Sequence, residues 1–274
     1  MPVQFQKNVV NFFPVTAARE MYEPFHKLKY SFAATYFDQM RQAVPAMVKE
    51  KGAKQLCAMY QDDEFGLEVF RGAEAGLKDA GLQFAEVTTY KRGATDFASQ
   101  MQKLASAKCD FVVMGTIIRE TIGGIATARR LGFNPTFIGS SAAYTDLIHK
   151  LGGPAMNGFY ATMTVQHPYL DEAAQNIRFW ANKYKTKFNE DPTVFSVYGY
   201  NALDAYLRAV EKAGANLTTE SFIKAMDTMK IPSDMFGSAE MTFSPTKRLG
   251  SNISRMSQIQ DGRWKVVSDY PKAK

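Results

Sequence analysis

Cysteine is scarce in this chain of 274 residues, which has only Cys57 and Cys109; histidine is nearly as rare, at His26, His149 and His167. Both cysteines sit in apolar runs that read as strands, where a free thiol behaves as a small hydrophobe. They are expected to form neither a disulfide framework nor a metal motif. The histidines share no His-x-x-x-His or Glu-x-x-His spacing, so they read as isolated surface or loop residues and no metal ligand is expected. No apolar run approaches the roughly 18 residues of a membrane-spanning helix, the longest being Phe111 to Ile118, and the mean hydropathy is −0.26. Lys and Arg number 33 against 27 for Asp and Glu, a net charge of +6, yet they are scattered singly or in pairs such as Lys91-Arg92, Arg129-Arg130 and Lys247-Arg248. Without a basic stripe, a nucleic-acid partner is not expected. No Gly-x-x-x-x-Gly-Lys-Ser/Thr or Gly-x-Gly-x-x-Gly follows a predicted strand, which removes the main nucleotide-binding signals. Met1-Pro2-Val3-Gln4 lacks the basic, apolar and small-residue order of an export signal.

What is present is 46% hydrophobic and 22% charged residues, the composition of a globular protein with material for one large or two ordinary domains. From Gln55 onward, short β-rich runs alternate with amphipathic helices at the spacing of βαβ units, which build a parallel sheet covered on both faces. Strands are expected at 55–60, 82–89, 111–114, 136–139 and 158–165. Helices are expected from about Glu64 to Gly81, from Thr95, up to Leu131-Gly132, and over 146–151. Long helices follow over about 171–189, 194–213 and 218–229. The last stretch reads as antiparallel strands at 239–243, 253–260 and 264–267, with Asp261-Gly262 turning a hairpin.

In such sheets a ligand binds beyond the carboxyl ends of the strands, which directs attention to the loops after Tyr60, Met114 and Ile138. Asp62, Asp63 and Glu64 are consecutive and cannot converge on one point, so an acidic helix cap is preferred to an acid–base pair or cation site. Ser140 and Ser141 lack a Gly-x-Ser-x-Gly elbow, which argues against a nucleophile. The Phe and Tyr residues are mostly core, except that Phe65 and Tyr198 lie beside loops facing the crevice. A cleft of aromatic and small polar residues without a catalytic set describes a binding site, not an enzyme.

Tyr60-Gln61-Asp62-Asp63-Glu64-Phe65-Gly66, Gly93-Ala94-Thr95-Asp96-Phe97, Arg129-Arg130-Leu131-Gly132-Phe133, Tyr198-Gly199-Tyr200-Asn201-Ala202-Leu203-Asp204-Ala205 and Ala213-Gly214 carry a resemblance, in order and spacing. Together they resemble the periplasmic solute-binding proteins of branched-chain amino acid type (Leu/Ile/Val-binding-like) ABC importers. The resemblance runs from about Val9 to the Trp264 region. It implies an α/β, type I periplasmic-binding-protein fold, with two doubly wound lobes that close over a small solute. Crossing hinge strands would fall near 32–35, 162–166 and 243–250. Residues 1–32 and 165–243 would form a remnant of the N-terminal lobe, and 33–164 with 244–274 the C-terminal lobe.

Val9 to Pro14 looks like the fourth strand of the first lobe, so that lobe is expected to be incomplete. The helix 194–213 would then lack a sheet to pack on and leave an apolar patch exposed. Carried over by the resemblance, the ligand-binding positions are Thr16 and Ala17 in a small-residue loop, Tyr60 and Phe65, Thr116, Ile118 with its neighbour Ile117, Arg119, Ser141 and Tyr198. Ser141 stands where amino acid binders carry an acidic residue for the ligand's ammonium. A buried ammonium without such a partner costs several kcal/mol, so an uncharged or anionic solute is expected; a small hydrophobic or aromatic carboxylic acid, with Arg119 as its partner, is favoured, and amides and urea-like solutes stay open beside it. Arg119 reads equally as a helix-start residue paired with Glu120.

The resemblance further implies a periplasmic location, a membrane permease as partner, and no cofactor. Two alternatives stand beside it: a cytoplasmic ligand-sensing regulator with the same fold, and a truncated fragment that binds nothing.

Overall fold

The computed structural model describes residues 1–271. The expected second-lobe residues 272–274 lie outside that range. The described residues divide into two compact units, one of residues 1–35 and 164–252 and one of residues 36–163 and 253–271. In chain order, unit 1 opens with α1 (Pro2–Gln6), β1 (Asn11–Phe12) and β2 (Lys29–Tyr30). Unit 2 follows with α2 (Tyr36–Lys51), β3 (Leu56–Gln61), α3 (Glu64–Asp79), β4 (Glu86–Tyr90), α4 (Ala98–Ser106), β5 (Phe111–Gly115), α5 (Ile118–Arg130), β6 (Thr136–Gly139), α6 (Asp146–Gly152) and β7 (Tyr160–Met163). The chain returns to unit 1 for α7 (Gln175–Phe188), α8 (Val194–Ala213), α9 (Thr219–Met226), β8 (Lys230–Ile231) and β9 (Met241–Thr242), and ends in unit 2 with β10 (Arg255–Gln260) and β11 (Arg263–Val266).

Unit 2 is built on a seven-stranded sheet of order β11-β10-β7-β6-β5-β3-β4. Strands β3 to β7 are parallel, while β10 runs antiparallel to both β7 and β11. The alternation of side chains decides the layers. Ala58 and Val113 point into a core with Val44, Val48, Val69 and Leu77 of α2 and α3. Met59 and Met114 point the other way, toward Met101 of α4 and Gly124 of α5. The β10–β11 turn has positive φ at both Asp261 (52°) and Gly262 (72°), as a two-residue hairpin requires.

Helix α2 was not legible in the sequence, because Pro45 interrupts it. Pro45 has no N–H to give Arg41's carbonyl, and that carbonyl faces α3 at Gly76, where a Cβ would come within 2.3 Å of it. Gly72 meets the Phe37 carbonyl in the same way, so two glycines one turn apart let α3 lie against the α2 backbone.

The cysteine reading is corrected: Cys57 on β3 and Cys109, in the turn before β5, form a disulfide across 52 residues, with Cα atoms 5.9 Å apart. Periodicity treats each apolar run separately, so it could not see that β3 and β5 are sheet neighbours. The histidine reading also changes, since His149 and His167 are buried while only His26 remains half-buried in a loop, stacked on Phe5.

In unit 1 every described strand has two residues. The parallel pair β1–β2 and the antiparallel pair β8–β9 are joined through a cluster of Phe13, Tyr30, Phe222, Met226, Met241 and Phe243. Helices α8 and α9 start at capping boxes, Thr193 with Ser196 and Thr218 with Ser221. Buried Arg248 pairs with Asp227 at 2.9 Å and lies over the Tyr30 ring. Residues 244–252, expected in the second lobe, stay with unit 1, because Ser31 N–H donates to Arg248 O (2.9 Å) and Gly250 N–H to Ser31 O (2.8 Å). The expected patch on α8 is present: Phe195, Tyr200, Leu203, Tyr206 and Leu207 are all exposed on adjoining turns.

Candidate functional site at the carboxyl edge of the unit 2 sheet

After β3 the chain steps to β4 on one side, and the next strand, β5, lies on the other side of β3. Order reverses there, and in open parallel sheets such a reversal is where ligands bind, outside the carboxyl ends of the strands. The loop after β6 borders the same edge.

The β3 loop is organised by Asp63. It caps α3, its Oδ1 accepting from Gly66 N–H at 3.2 Å, which is the acidic cap expected from the sequence. Its Oδ2 accepts from buried Gln61 Nε2 (2.5 Å) and from Arg92 Nη2 (3.1 Å), while Asp62 pairs with Lys91. Phe65 is partly buried, its ring edge-on to Tyr36 at 5.1 Å. Tyr60 instead stacks on Phe70 at 4.8 Å, and Phe70 on Phe84, so one face of its ring is committed to packing.

In the β5 loop, Thr116 is fully buried and its hydroxyl meets that of Thr121 at 2.5 Å. It braces the start of α5 and presents no surface to a solute, which corrects its expected role as a contact. Ile117 is the cap residue of α5, without a side-chain cap, and Ile118 is the first helical residue; both are partly exposed. Arg119 pairs with Glu120 at 3.0 Å, with 62% of its own side chain exposed against 9% of its partner's. Behind these loops Tyr90 OH donates to Gly115 O at 3.4 Å. Burial, with the carboxylates of Glu120 and Asp63 adding to it, holds Tyr90 above the ordinary phenol range, so it remains a donor.

In the β6 loop, Ser140 accepts from Ala142 N–H (3.3 Å), and Ser141 is held by Gln39 of α2 through two hydrogen bonds of 2.9 Å. Neither serine is bonded to a histidine among the described residues. No group of three His, Cys, Asp or Glu is placed to hold a metal ion among them either. Gln39, Tyr90 and Arg92 were missed by sequence reasoning. The signal for Gln39 would have been a polar residue on the same helical face as Met40, Val44 and Met47, legible only once α2 is recognised.

Unit 1 carries the remaining expected contacts. Thr16 and Ala17, both partly exposed, follow β1, and Thr16 N–H closes a tight turn onto Pro14 O at 2.8 Å. Tyr198 of α8 is buried beside Phe32, with its hydroxyl 3.5 Å from that of Thr164.

Comparisons with known proteins agree with this architecture. The chain is similar, at 25% identity over 162 residues, to the leucine-, isoleucine-, valine-, threonine- and alanine-binding protein of Pseudomonas aeruginosa, covering 59% of this chain and 42% of that one. The chain spans 42% to 61% of the length of the first curated relatives it matches. Among solved structures, a branched-chain amino acid ABC transporter protein from Thermus thermophilus with bound valine superposes with a TM-score of 0.84 at 18% identity, over 99% of this chain and 74% of that one. A fatty acid ABC transporter substrate-binding protein from Thermomonospora curvata superposes with a TM-score of 0.82 at 21% identity, over 100% of this chain and 71% of that one. These superpositions give the fold as that of type I periplasmic binding proteins. The family profile described as periplasmic binding protein matches residues 4–263. With that match spanning nearly the whole sequence, the chain belongs to the periplasmic binding protein family.

Proposed function

We propose that this chain serves as the solute-binding component of an ABC importer outside the cytoplasm, and that its solute is a small hydrophobic or aromatic carboxylic acid delivered to a membrane permease. The observation that carries the choice of solute is the state of the edge carboxylates. Asp62, Asp63 and Glu120 are each paired with a cation of the protein, Lys91, Arg92 and Arg119 respectively. Position 141, expected to face a ligand's ammonium, is a serine already engaged by Gln39. An ammonium entering this edge would lose water without gaining a carboxylate, at a cost of several kcal/mol. A carboxylate meets better conditions: Phe65, Ile117 and Ile118 offer apolar surface. Arg119 is itself largely exposed, and while one N–H holds Glu120 its guanidinium has further N–H donors to offer a ligand carboxylate.

The Cys57–Cys109 disulfide supports an oxidising compartment over the cytoplasmic-regulator alternative. No helix among the described residues is long and apolar enough to cross a membrane. Thr16, Ala17 and Tyr198 are carried as unit 1's own candidate contacts.

The test is a thermal-shift series with phenylacetate, octanoate, phenylacetamide and valine. A ligand bound only by the folded chain stabilises it by about 2.7 kcal/mol at a hundred times its Kd. A rise in midpoint with an acid and none with valine is expected. A rise with valine alone overturns the acid reading, and no rise with any of the four favours the fragment that binds nothing.

A further inference from the structure

Gln39 is a fully buried amide that joins α2 to the β6 loop and β7. Its Oε1 accepts from Ser141 N–H at 2.9 Å and from Thr162 Oγ1 at 2.7 Å, and its Nε2 donates to Ser141 Oγ at 2.9 Å. The backbone N–H of Ser141 can only donate, which fixes Oε1 toward it and therefore fixes Nε2 toward the hydroxyl. One lone pair of the Ser141 hydroxyl is thereby occupied from inside the protein. Among the described residues no acceptor takes the Ser141 hydroxyl proton, and the residue is partly exposed at the sheet edge.

We infer that Gln39 is a positioning residue that biases the polarity of the candidate site: by filling one of the two acceptor positions of the Ser141 hydroxyl and leaving its proton for a ligand, it favours a solute with an oxygen acceptor over one with an ammonium. This rests on the proposed solute class and deepens it. The discrimination arises from the direction of one hydroxyl, a different cause from the neutralised carboxylates. The same two bonds tie α2 to the β6 loop, and Thr162 ties both to β7, so the serine is held in place as well as oriented.

The test uses three probes with one ring and different head groups: benzoate, benzamide and benzylamine. Their binding is measured calorimetrically on the full chain, together with amide hydrogen exchange over residues 139–144. The unsubstituted protein is expected to bind benzoate and benzamide and to discriminate against benzylamine. Gln39→Met keeps the side-chain length and removes all three bonds, the two to Ser141 and the one from Thr162. It is expected to raise exchange at Ser141 by tenfold or more and to reduce the benzoate-to-benzylamine preference several-fold, leaving the share set by the paired edge carboxylates in place. A uniform loss for all three probes, with the preference kept, overturns the polarity role and leaves Gln39 merely structural. Unchanged exchange overturns the clamp.

Ser141→Ala covers the case in which Gln39→Met does not fold, since Gln39 keeps its Ser141 N–H and Thr162 partners. Benzoate and benzamide should then weaken by a similar factor while exchange stays as before. Unaltered affinity for both overturns the inference. If the unsubstituted chain binds none of the probes while Gln39→Met still raises exchange, the solute-class reading fails with the polarity claim and the clamp stands.

Discussion

In unit 2, five parallel strands and an antiparallel pair form one sheet with helices on both faces, and a disulfide joins β3 to the turn before β5. Unit 1 has no strand longer than two residues among those described. Its order depends on a cluster of aromatic and methionine side chains, two capped helices, and one buried ion pair. Unit 2 thus spreads its stability over many repeated backbone pairings. Unit 1 concentrates it in a few side chains, while one helix leaves an apolar stripe in water. Substitutions should therefore be felt differently in the two units: as overpacking or lost cross-links in unit 2, and as lost individual contacts in unit 1.

The largest expected effect lies where unit 2 is tightest. Gly76→Val places a Cβ about on top of the Arg41 carbonyl, a backbone atom that cannot turn aside, and should cost about 3 kcal/mol or more in urea unfolding. A loss of less than about 1 kcal/mol would show that α2 and α3 can separate cheaply. Replacing both cysteines with alanine should cost roughly 3 kcal/mol, since the cross-link closes a long loop in the unfolded chain. The same midpoint with and without reductant would remove the disulfide from unit 2's account. In unit 1, Arg248→Met should cost about 2 kcal/mol, less than a fully buried pair, because the Asp227 side chain keeps 18% of its exposure and can recover water.

The smallest effect is one of pH. Burial first, then Lys150 and Arg263, hold His149 below its ordinary 6.5, with Asp146 opposing them. The unfolded chain therefore binds the proton more readily than the folded one. Stability from this group is fully present above pH 6.5 and is lost as pH falls toward the folded value. The thermal midpoint should decline on acidification from pH 7, and His149→Phe should flatten that decline. His26 has a shift of the same sign, but solvent at its loop should make its share smaller.

Unit 2 was more legible in the sequence than unit 1, for a physical reason. Its strands are apolar on both faces and its helices carry regular stripes, so β6 was read to the residue and most of its other elements to within a few; in unit 1 only a long capped helix, α8, was read as closely as β6. Strand β4 starts later than expected, because Leu82 and its neighbours form the turn after α3. The site was legible as loops and much less so as contacts. Nothing local to Thr116 announces that Thr121 will take its hydroxyl, or to Tyr60 that Phe70 will take its ring. Gln39 and Ser141 are 102 residues apart, and their bond follows from α2 meeting β6 and β7 in space. Arg119 reads equally as a ligand partner and as a partner of Glu120; it does pair with Glu120, and its contact with a solute belongs to the proposed function.

The route of the chain has a consequence for anyone who wishes to cut it. Neither unit is a single stretch of sequence, since unit 2 takes β10 and β11 from beyond residue 252. A polypeptide ending at Met163 would retain most of that sheet but lose the strand that covers β7, where Arg255 to Gln258 pair with Met163 to Tyr160. It would expose a bare edge of the kind that seeks another chain to pair with. Inheritance offers the same warning as the scissors: a frameshift just before β10, far along the sequence from every expected ligand contact, would strip the β10–β11 hairpin and leave β7 as the sheet's bare edge.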